Sequence, residues 1–533
     1  MRALHLLLLG LCLLLFTRLA TTDLALPGPQ DDEIKHGALA VDLLRPPFPH
    51  SRDYALRLGD QPFPFGITPH AGALKSYLLW PFFALFKPSV EIVRIFTIFL
   101  GLLVLVFSYL FLLEHAGRWP AFFAVLLLSL DASFIFYSKL DEGPIIEQLL
   151  WFVVCLWTFG RFGRTRQMGY FVVGLVASIF GIYSHITFIW FVVACCLALP
   201  LCFPQELRTL SKRSTLTLAI PAALCVLIVF LYWYIGERGR FLVDEPHGLS
   251  GILVMFERLS TMGGIVPEVL FGRSTNRNLP VLGIETRPLT DIFLIASVAF
   301  LLCCGGMKSK FLRFLFLTSA IYLVEVSVTP KGLNMLRYHR MMPFYIFLIF
   351  LAGIAISQNG KILKHFRNEF PGSVIVSFVI FFLAVTSIGG QVSLTQEAIR
   401  EIRQTGGKGF WSDSIYAVAE TLKGKKWETT VCLDWGYTSL VLLGKGKIPL
   451  SKPTWNIYTV NEETKLQILS QMIRGASPQV LFLLNLMKKP RGGVTVQEFQ
   501  EVTQRVDKKL EREYVFYDRK GELLYAAYTV HAK

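Results

Sequence analysis

Charge is scarce in this 533-residue chain: 17% of residues are Asp, Glu, Lys or Arg, against about 25% in an ordinary soluble protein. Usable cysteine is scarcer still. Of the nine, Cys12, Cys155, Cys195, Cys196, Cys202, Cys225, Cys303 and Cys304 lie in or beside apolar runs, and only Cys432 falls in a polar stretch. That excludes a secreted disulfide scaffold, and the spacing offers no zinc site. Internal repeats and low-complexity tracts are absent as well. No Asn-x-Ser/Thr acceptor occurs, which suits a bacterial plasma membrane better than the endoplasmic reticulum.

What is present is apolar. The chain is 53% hydrophobic, with a mean hydropathy of +0.50. Length alone would predict three or four soluble domains, but the apolar runs are too long for a water-soluble core and read as bilayer spans. The 44 Phe, 10 Trp and 18 Tyr suit lipid contact and interfacial belts. A first run, residues 4–19, reads either as a cleaved signal peptide or as a retained first helix. Arg18 fits a cleavage region poorly and favours the helix. Further spans are predicted at 90–113, 119–137, 145–160, 168–184, 186–203, 216–235, 289–304, 312–329, 341–357 and 373–390.

The charge pattern orients these eleven spans. Alternate loops carry Arg118; Arg161, Arg164 and Arg166; Arg208, Lys212 and Arg213; Lys308, Lys310 and Arg313; and Lys361, Lys364 and Arg367. Only Glu114, Glu206 and Glu369 oppose them, so the positive-inside rule places these loops in the cytoplasm. The net charge of +15 is therefore assigned to those loops and not to a nucleic-acid partner. The opposite face receives residues 21–89, the turn near 138–147, the loop 236–288, the short loop 330–340 and a tail. Segments such as 72–86 are too short to span and are predicted to lie along the interface.

The tail alternates helix and strand signals. Residues 430–433 and 480–484 read as buried strands, 496–510 as a helix, and 514–518 with 523–530 as a hairpin around Lys520-Gly521. The predicted fold class is a polytopic α-helical membrane protein with about eleven transmembrane helices and a C-terminal extracytoplasmic α/β domain. The predicted domains are 1–391, with outer loops 21–89 and 236–288, and 392–533.

Three adjacent carboxylates, Asp31-Asp32-Glu33, followed by His36 and Gly37, stand just outside the first span. Mutual repulsion and a nearby bilayer edge raise proton affinity, so one of them suits a general base. Hard oxygen ligands also suit a divalent cation, with Asp32 and Asp141 as its candidate ligands. A solvated acidic turn leaving a helix is the competing reading. A second acidic pair, Asp141-Glu142, precedes Gly143-Pro144, where helix capping competes with convergence of the two acidic clusters on one cleft. Lys331, Arg337, His339 and Arg340 break the charge rule by falling outside. A phosphate at headgroup level would explain them, and so would snorkelling at a helix end. His185, in a tight turn, reads as structural.

This layout resembles the polytopic GT-C glycosyltransferases, closest in look to the protein O-mannosyltransferases and the aminoarabinose transferases of lipid A. Asp32-Glu33-Ile34-Lys35-His36-Gly37 looks like a looser form of the Asp-Glu pair that precedes His-Phe-Gly in the mannosyltransferases. Many relatives have a His-Pro-Pro-Leu stretch leading into an aromatic helix, then a Gly-x-Ser and an Arg. Pro69-His70-Ala71-Gly72-Ala73-Leu74, then Tyr77, Trp80, Pro81, Lys87-Pro88-Ser89 and Arg94 are similar to that series, without the double proline. Asp141-Glu142 resembles the second acidic site, and Arg337-Tyr338 to Pro343 the basic lead-in to a late span.

The resemblance implies inverting transfer of a sugar from a polyprenyl-phosphate carrier to an acceptor hydroxyl at the outer face. In that reading Asp32 is the base, Glu33 its neighbour and Asp31 the rival base, while His36, Asp141 and Glu142 place the acceptor or a metal. Lys331, Arg337, His339 and Arg340 steady the departing phosphate. The implied partners are a lipid-linked sugar donor, a glycan, lipid or protein acceptor, and the bilayer, with no nucleic acid. The membrane is a plasma (inner) membrane, with the site and the C-terminal domain extracytoplasmic. Two other functions remain open, a transporter or flippase using Asp131 and Glu325 within spans, and a ligase moving a whole lipid-linked glycan.

Overall fold

The computed structural model describes residues 2–44, 55–58, 61–68, 70–141, 143–205, 223–231, 289–303, 309–328, 338–366, 371–423, 425, 427–433, 439–444, 447–450, 462–486 and 494–533. Their contacts divide into two compact units. One comprises Met1–Thr22, Thr68–Lys75 and Phe96–Ala398; the other comprises Asp23–Ile67, Ser76–Ile95 and Ile399–Lys533.

Helices up to residue 202 are α1 (Arg2–Ala20), α2 (Asp31–Leu43), α3 (Leu74–Leu85), α4 (Val90–His115), α5 (Arg118–Leu130), α6 (Ala132–Leu140), α7 (Ile145–Thr165), α8 (Met168–Ser184) and α9 (Phe188–Cys202). Among the described residues, four stretches are long and apolar enough to cross a membrane: Ala3–Ala20, Val90–His115, Ile145–Thr165 and Phe378–Thr405. The bent pair α5–α6 adds a fifth if counted as one span. The remaining expected spans coincide with α8, α9 and the helices Leu289–Cys303, Lys310–Val328 and Tyr338–Phe366. The exception is 216–235, most of which lies outside the described residues.

The first unit is a helical bundle with an interior rich in aromatic side chains. α1 buries Cys12 and Phe16 and exposes Leu7 (71%) and Leu14 (69%), an apolar outer face that belongs against lipid tails and not against water. Inside, the Phe16 and Phe134 rings sit 5.4 Å apart. α5 packs on the helix Tyr338–Phe366, and the approach is close. A Cβ added at Gly353 would stand 2.7 Å from the Ala124 methyl, so a small residue is required there, as is usual where helices associate in lipid.

The stretch expected as one span at 119–137 is instead broken, with a 63° bend between α5 and α6. Asp131 makes the break. Its backbone is extended, and its Oδ1 accepts the Phe134 amide at 2.8 Å as the cap of α6. Tyr345 donates to its other oxygen at 2.8 Å. Gln391 Oε1 accepts the freed Ala132 amide at 3.0 Å, while its Nε2 donates to Thr290 Oγ1 at 3.1 Å. A helix interrupted in a membrane must find such internal partners, because no water is there to supply them.

In the second unit, β1 (Ala55–Leu58) and β2 (Gln61–Pro64) form an antiparallel hairpin. Two short strands follow, β3 (Gly66–Thr68) and β4 (Ala71–Gly72), the latter in the first unit. A four-stranded sheet is built from β5 (Thr429–Cys432), β6 (Val480–Asn485), β7 (Lys508–Tyr517) and β8 (Leu523–Ala532), in the order β5-β6-β8-β7. β5 and β6 run parallel, and the other pairs antiparallel.

Every residue of β6 is buried because both faces of the sheet are covered. Phe482 and Leu484 point into a core with Leu469, Ile473, Phe499 and Val502, from the helices Glu462–Gly475 and Val496–Arg505. Leu481 and Leu483 point into another with Ile415, Val418, Leu422 and Leu440, from the helices Ser414–Lys423 and Ser439–Gly444. Period-two alternation thus feeds two cores. The helix expected over 496–510 is corrected here. It starts on a Thr495–Glu498 capping box and ends at Arg505, because Asp507 adopts a left-handed conformation with φ 57° and the chain turns into β7.

Candidate active site

The acidic triplet opens α2. Gln30, with an extended backbone, caps the helix. Its side chain accepts the Asp32 amide at 3.0 Å while Glu33 Oε2 accepts the Gln30 amide at 3.4 Å. Three carboxylates in the first turn suit the positive end of the helix dipole. Their mutual repulsion is offset by two cations. Lys35 Nζ lies 3.1 Å from Asp31 Oδ2 and 2.8 Å from Asp32 Oδ1. Arg94 grips Glu33 with both Nε (2.6 Å) and Nη2 (3.0 Å), and its Nη1 donates to the Leu24 carbonyl at 2.7 Å. Burial disfavours charge on Lys35, yet Asp32 and Asp31 outweigh it and hold the ammonium above its ordinary value of 10.5.

The three acids are not equivalent. The Asp31 and Glu33 side chains are 2% and 1% exposed, whereas Asp32 is 31% exposed. Only Asp32 combines a cationic neighbour with access for a second molecule. His36 is buried, its Nδ1 3.1 Å from the Ser76 hydroxyl. At the next residue, a Cβ on Gly37 would sit 2.9 Å from Val93, so α2 lies tight against the start of α4.

The second acidic position lies in the other unit. Asp141 ends α6 in a left-handed conformation, φ 31°, and its Oδ1 accepts the Ile146 amide at 3.0 Å as α7 begins. The capping role read from the sequence is therefore real. Its other oxygen holds the ammonium of Lys75, in an ion pair with both side chains buried. Burial pushes the Asp141 carboxyl up from its ordinary 3.8, against the pull of Lys75 and the Ile146 amide. Glu147, also fully buried, stands in the first turn of α7. The strap Thr68–Lys75 is pinned at its other end too: His185 bridges to Ala71, and the Ile186 amide donates to the His70 carbonyl at 3.0 Å.

His185 is structural, as read, with its Nδ1 2.7 Å from the Thr187 hydroxyl. Glu142, Lys331 and Arg337 lie outside the described residues; His339 and Arg340 are in the helix Tyr338–Phe366, with side chains outside them. Sequence reasoning missed Lys75 entirely and gave Lys35 and Arg94 no ionic role. Lys35 could have been found, since it stands three and four residues after Asp32 and Asp31 on one helix. The divalent cation expected on Asp32 and Asp141 does not fit the residues. Each carboxylate already holds a lysine, and among the described residues no three His, Cys, Asp or Glu gather into a metal-holding group.

No protein-family model matches the chain, and no curated protein matches it in sequence. Solved structures match in fold. ArnT from Cupriavidus metallidurans in the apo state gives a TM-score of 0.58 at 12% identity, covering 98% of this chain and 97% of that one. ArnT of the same organism bound to undecaprenyl phosphate gives 0.55 at 13% identity, over the same shares. The oligosaccharyltransferase AglB from Archaeoglobus fulgidus, in complex with an inhibitory peptide and a dolichol-phosphate, gives 0.54 at 14%, covering 98% and 74%. At these identities the likeness is one of fold, and that fold is the GT-C fold of ArnT and the archaeal oligosaccharyltransferase.

Proposed function

We propose that this protein is a membrane glycosyltransferase that moves a sugar from a polyprenyl-phosphate-linked donor to an acceptor hydroxyl, with inversion, at the outer membrane face. The observation that carries the reading is the selective exposure of Asp32 in a triplet whose other members are buried, one of them locked to Arg94. The fold supports it: ArnT binds undecaprenyl phosphate and AglB dolichol-phosphate in the matching structures.

In the reaction, the Asp32 carboxylate takes the proton of the acceptor hydroxyl as its oxygen attacks the anomeric carbon. The bond from that carbon to the phosphate oxygen breaks on the opposite face, and the phosphate leaves with the electron pair. A phosphate is stable as an anion, so the leaving group needs cations and not a strong acid. Lys331, Arg337, His339 and Arg340 are assigned that part by charge, and residues 392–533 are assigned to the same outer side.

Against a transporter stands the use made of Asp131. Both of its oxygens are taken up by a helix cap and a tyrosine. The match to an oligosaccharyltransferase favours a second reading, transfer of a whole lipid-linked glycan. Mass analysis of the product made from a defined undecaprenyl-phosphate sugar separates the two. Under the first reading the acceptor gains one sugar mass with the wild type, and Asp32→Asn abolishes transfer while leaving donor binding intact. Unchanged transfer by Asp32→Asn would sink the assignment.

A further inference from the structure

We propose that residues 403–416, with Arg519, clamp the segment 23–30 and so set the acid-bearing start of α2, making Tyr416 a positioning residue; this rests on the reading of Asp32 as the base. The clamp and what it holds lie in one compact unit. Apart from a turn, the segment between α1 and α2 has no regular structure, so its course is set by what it touches. It is held mainly by its backbone. Tyr416 donates its hydroxyl to the Ala25 carbonyl at 2.7 Å, Arg94 donates to the Leu24 carbonyl, and the Gly28 amide donates to the Gly406 carbonyl at 3.3 Å.

Gly28 is fixed by shape as well, because a Cβ there would collide with the carbonyl of Ser412. Arg519 braces the clamp, pairing with Asp413 at 2.7 Å and donating to the Arg403 carbonyl at 2.6 Å. The pair Arg403–Asp23, at 2.5 Å, is more than half exposed on the arginine side and contributes little. The Tyr416 hydrogen bond and the Gly28 contact carry the clamp. Two residues after Gly28 comes Gln30, the helix cap, and two more bring Asp32. The clamp therefore grips the last irregular residues before the carboxylates, and carbonyl and amide contacts fix direction in a way apolar packing does not.

The test uses the full-length protein in detergent, with the variants Tyr416→Phe and Gly28→Ala. Carboxyls are labelled with a water-soluble carbodiimide and glycine ethyl ester and located by peptide mass spectrometry. Wild type should label at Asp32 and protect Asp31 and Glu33. Loss of one hydrogen bond corresponds to about a fivefold rise in local opening, so Tyr416→Phe should speed labelling at Asp31 and Glu33 by about that factor. Its kcat for transfer from an undecaprenyl-phosphate sugar should fall while KM holds, with a melting temperature lowered by no more than the loss of one hydrogen bond. Gly28→Ala should do more of the same, and if it fails to fold, Tyr416→Phe alone decides. Protection of Asp31 and Glu33 equal to wild type in Tyr416→Phe overturns the clamp. Labelling needs no turnover, so an inactive wild type would count against the transferase reading while the clamp is still judged at Asp31 and Glu33.

Discussion

Arg94 reaches back 61 residues to hold both oxygens of Glu33, and that bond gives each oxygen of the buried carboxylate a charged partner. Both side chains are essentially unexposed, and a buried charge left without its partner costs about 3–5 kcal/mol. Arg94→Met should therefore destabilise by about that amount, read as a lowered melting temperature in detergent. Adding Glu33→Leu should recover much of the loss. If the single variant melts like wild type, the pair is not structural.

Lys75 and Asp141 yield a prediction about metal. With the lysine ammonium on its carboxylate, Asp141 has no charge to spare for a divalent ion. A ligand bound to the native state at a hundred times its Kd adds about 2.7 kcal/mol. A chelator should consequently leave the melting temperature unchanged, and millimolar Mg²⁺ or Mn²⁺ should not raise it. A drop of several degrees with EDTA would show that a metal is bound.

Asp131 should behave as a cap. Loss of an N-cap costs about 0.5–2 kcal/mol and loss of a buried hydrogen bond about 1 kcal/mol. Asp131→Ala should destabilise more than Tyr345→Phe, because it loses both the Phe134 amide and the tyrosine. Sugar transfer per folded molecule should persist in both. Abolished transfer in fully folded Tyr345→Phe would make the network part of the chemistry.

A pH dependence arises from Glu498. Burial opposes its charge, but Lys465 and the Thr495 amide and hydroxyl outweigh it and hold the carboxyl below its ordinary 4.5. A lowered native value means that the stability Glu498 contributes is complete above 4.5. It disappears as the pH falls through the native value, where the native state must take up the proton as well. Glu498→Gln should flatten that acid limb and leave stability above pH 6 lower by the lost Lys465 pair. Parallel melting curves for the two proteins below pH 4.5 would contradict it.

The helices were readable from the sequence because bilayer thickness imposes long apolar runs, and the acids were readable because charge is rare among them. The strands expected at 430–433 and 480–484 stand at Thr429–Cys432 and Val480–Asn485, the second legible from its continuous apolar run and the first from its β-branched residues. The partners were not legible. Lys75 meets Asp141 across 66 residues and Arg94 meets Glu33 across 61, and no periodicity encodes such pairings. The break at Asp131 left one trace, an acid inside an apolar run, and the sequence reading took that trace as a point in favour of transport. The helix expected to reach 510 stops at Arg505, and residues 508–510 open β7 instead. β7 is an edge strand, and its exposed Lys509, Glu511 and Arg512 discourage pairing with other chains.

The ties between residues 23–28 and the turn at 403–416 have a consequence for biosynthesis. Asp23 waits for Arg403 across 380 positions and Ala25 for Tyr416 across 391. A ribosome adding roughly 5–20 residues each second makes the acidic helix well over a quarter of a minute before its anchors emerge. Until then the segment 23–28 has only its earlier tie, the Arg94 guanidinium on the Leu24 carbonyl and on Glu33, so its second set of anchors closes last.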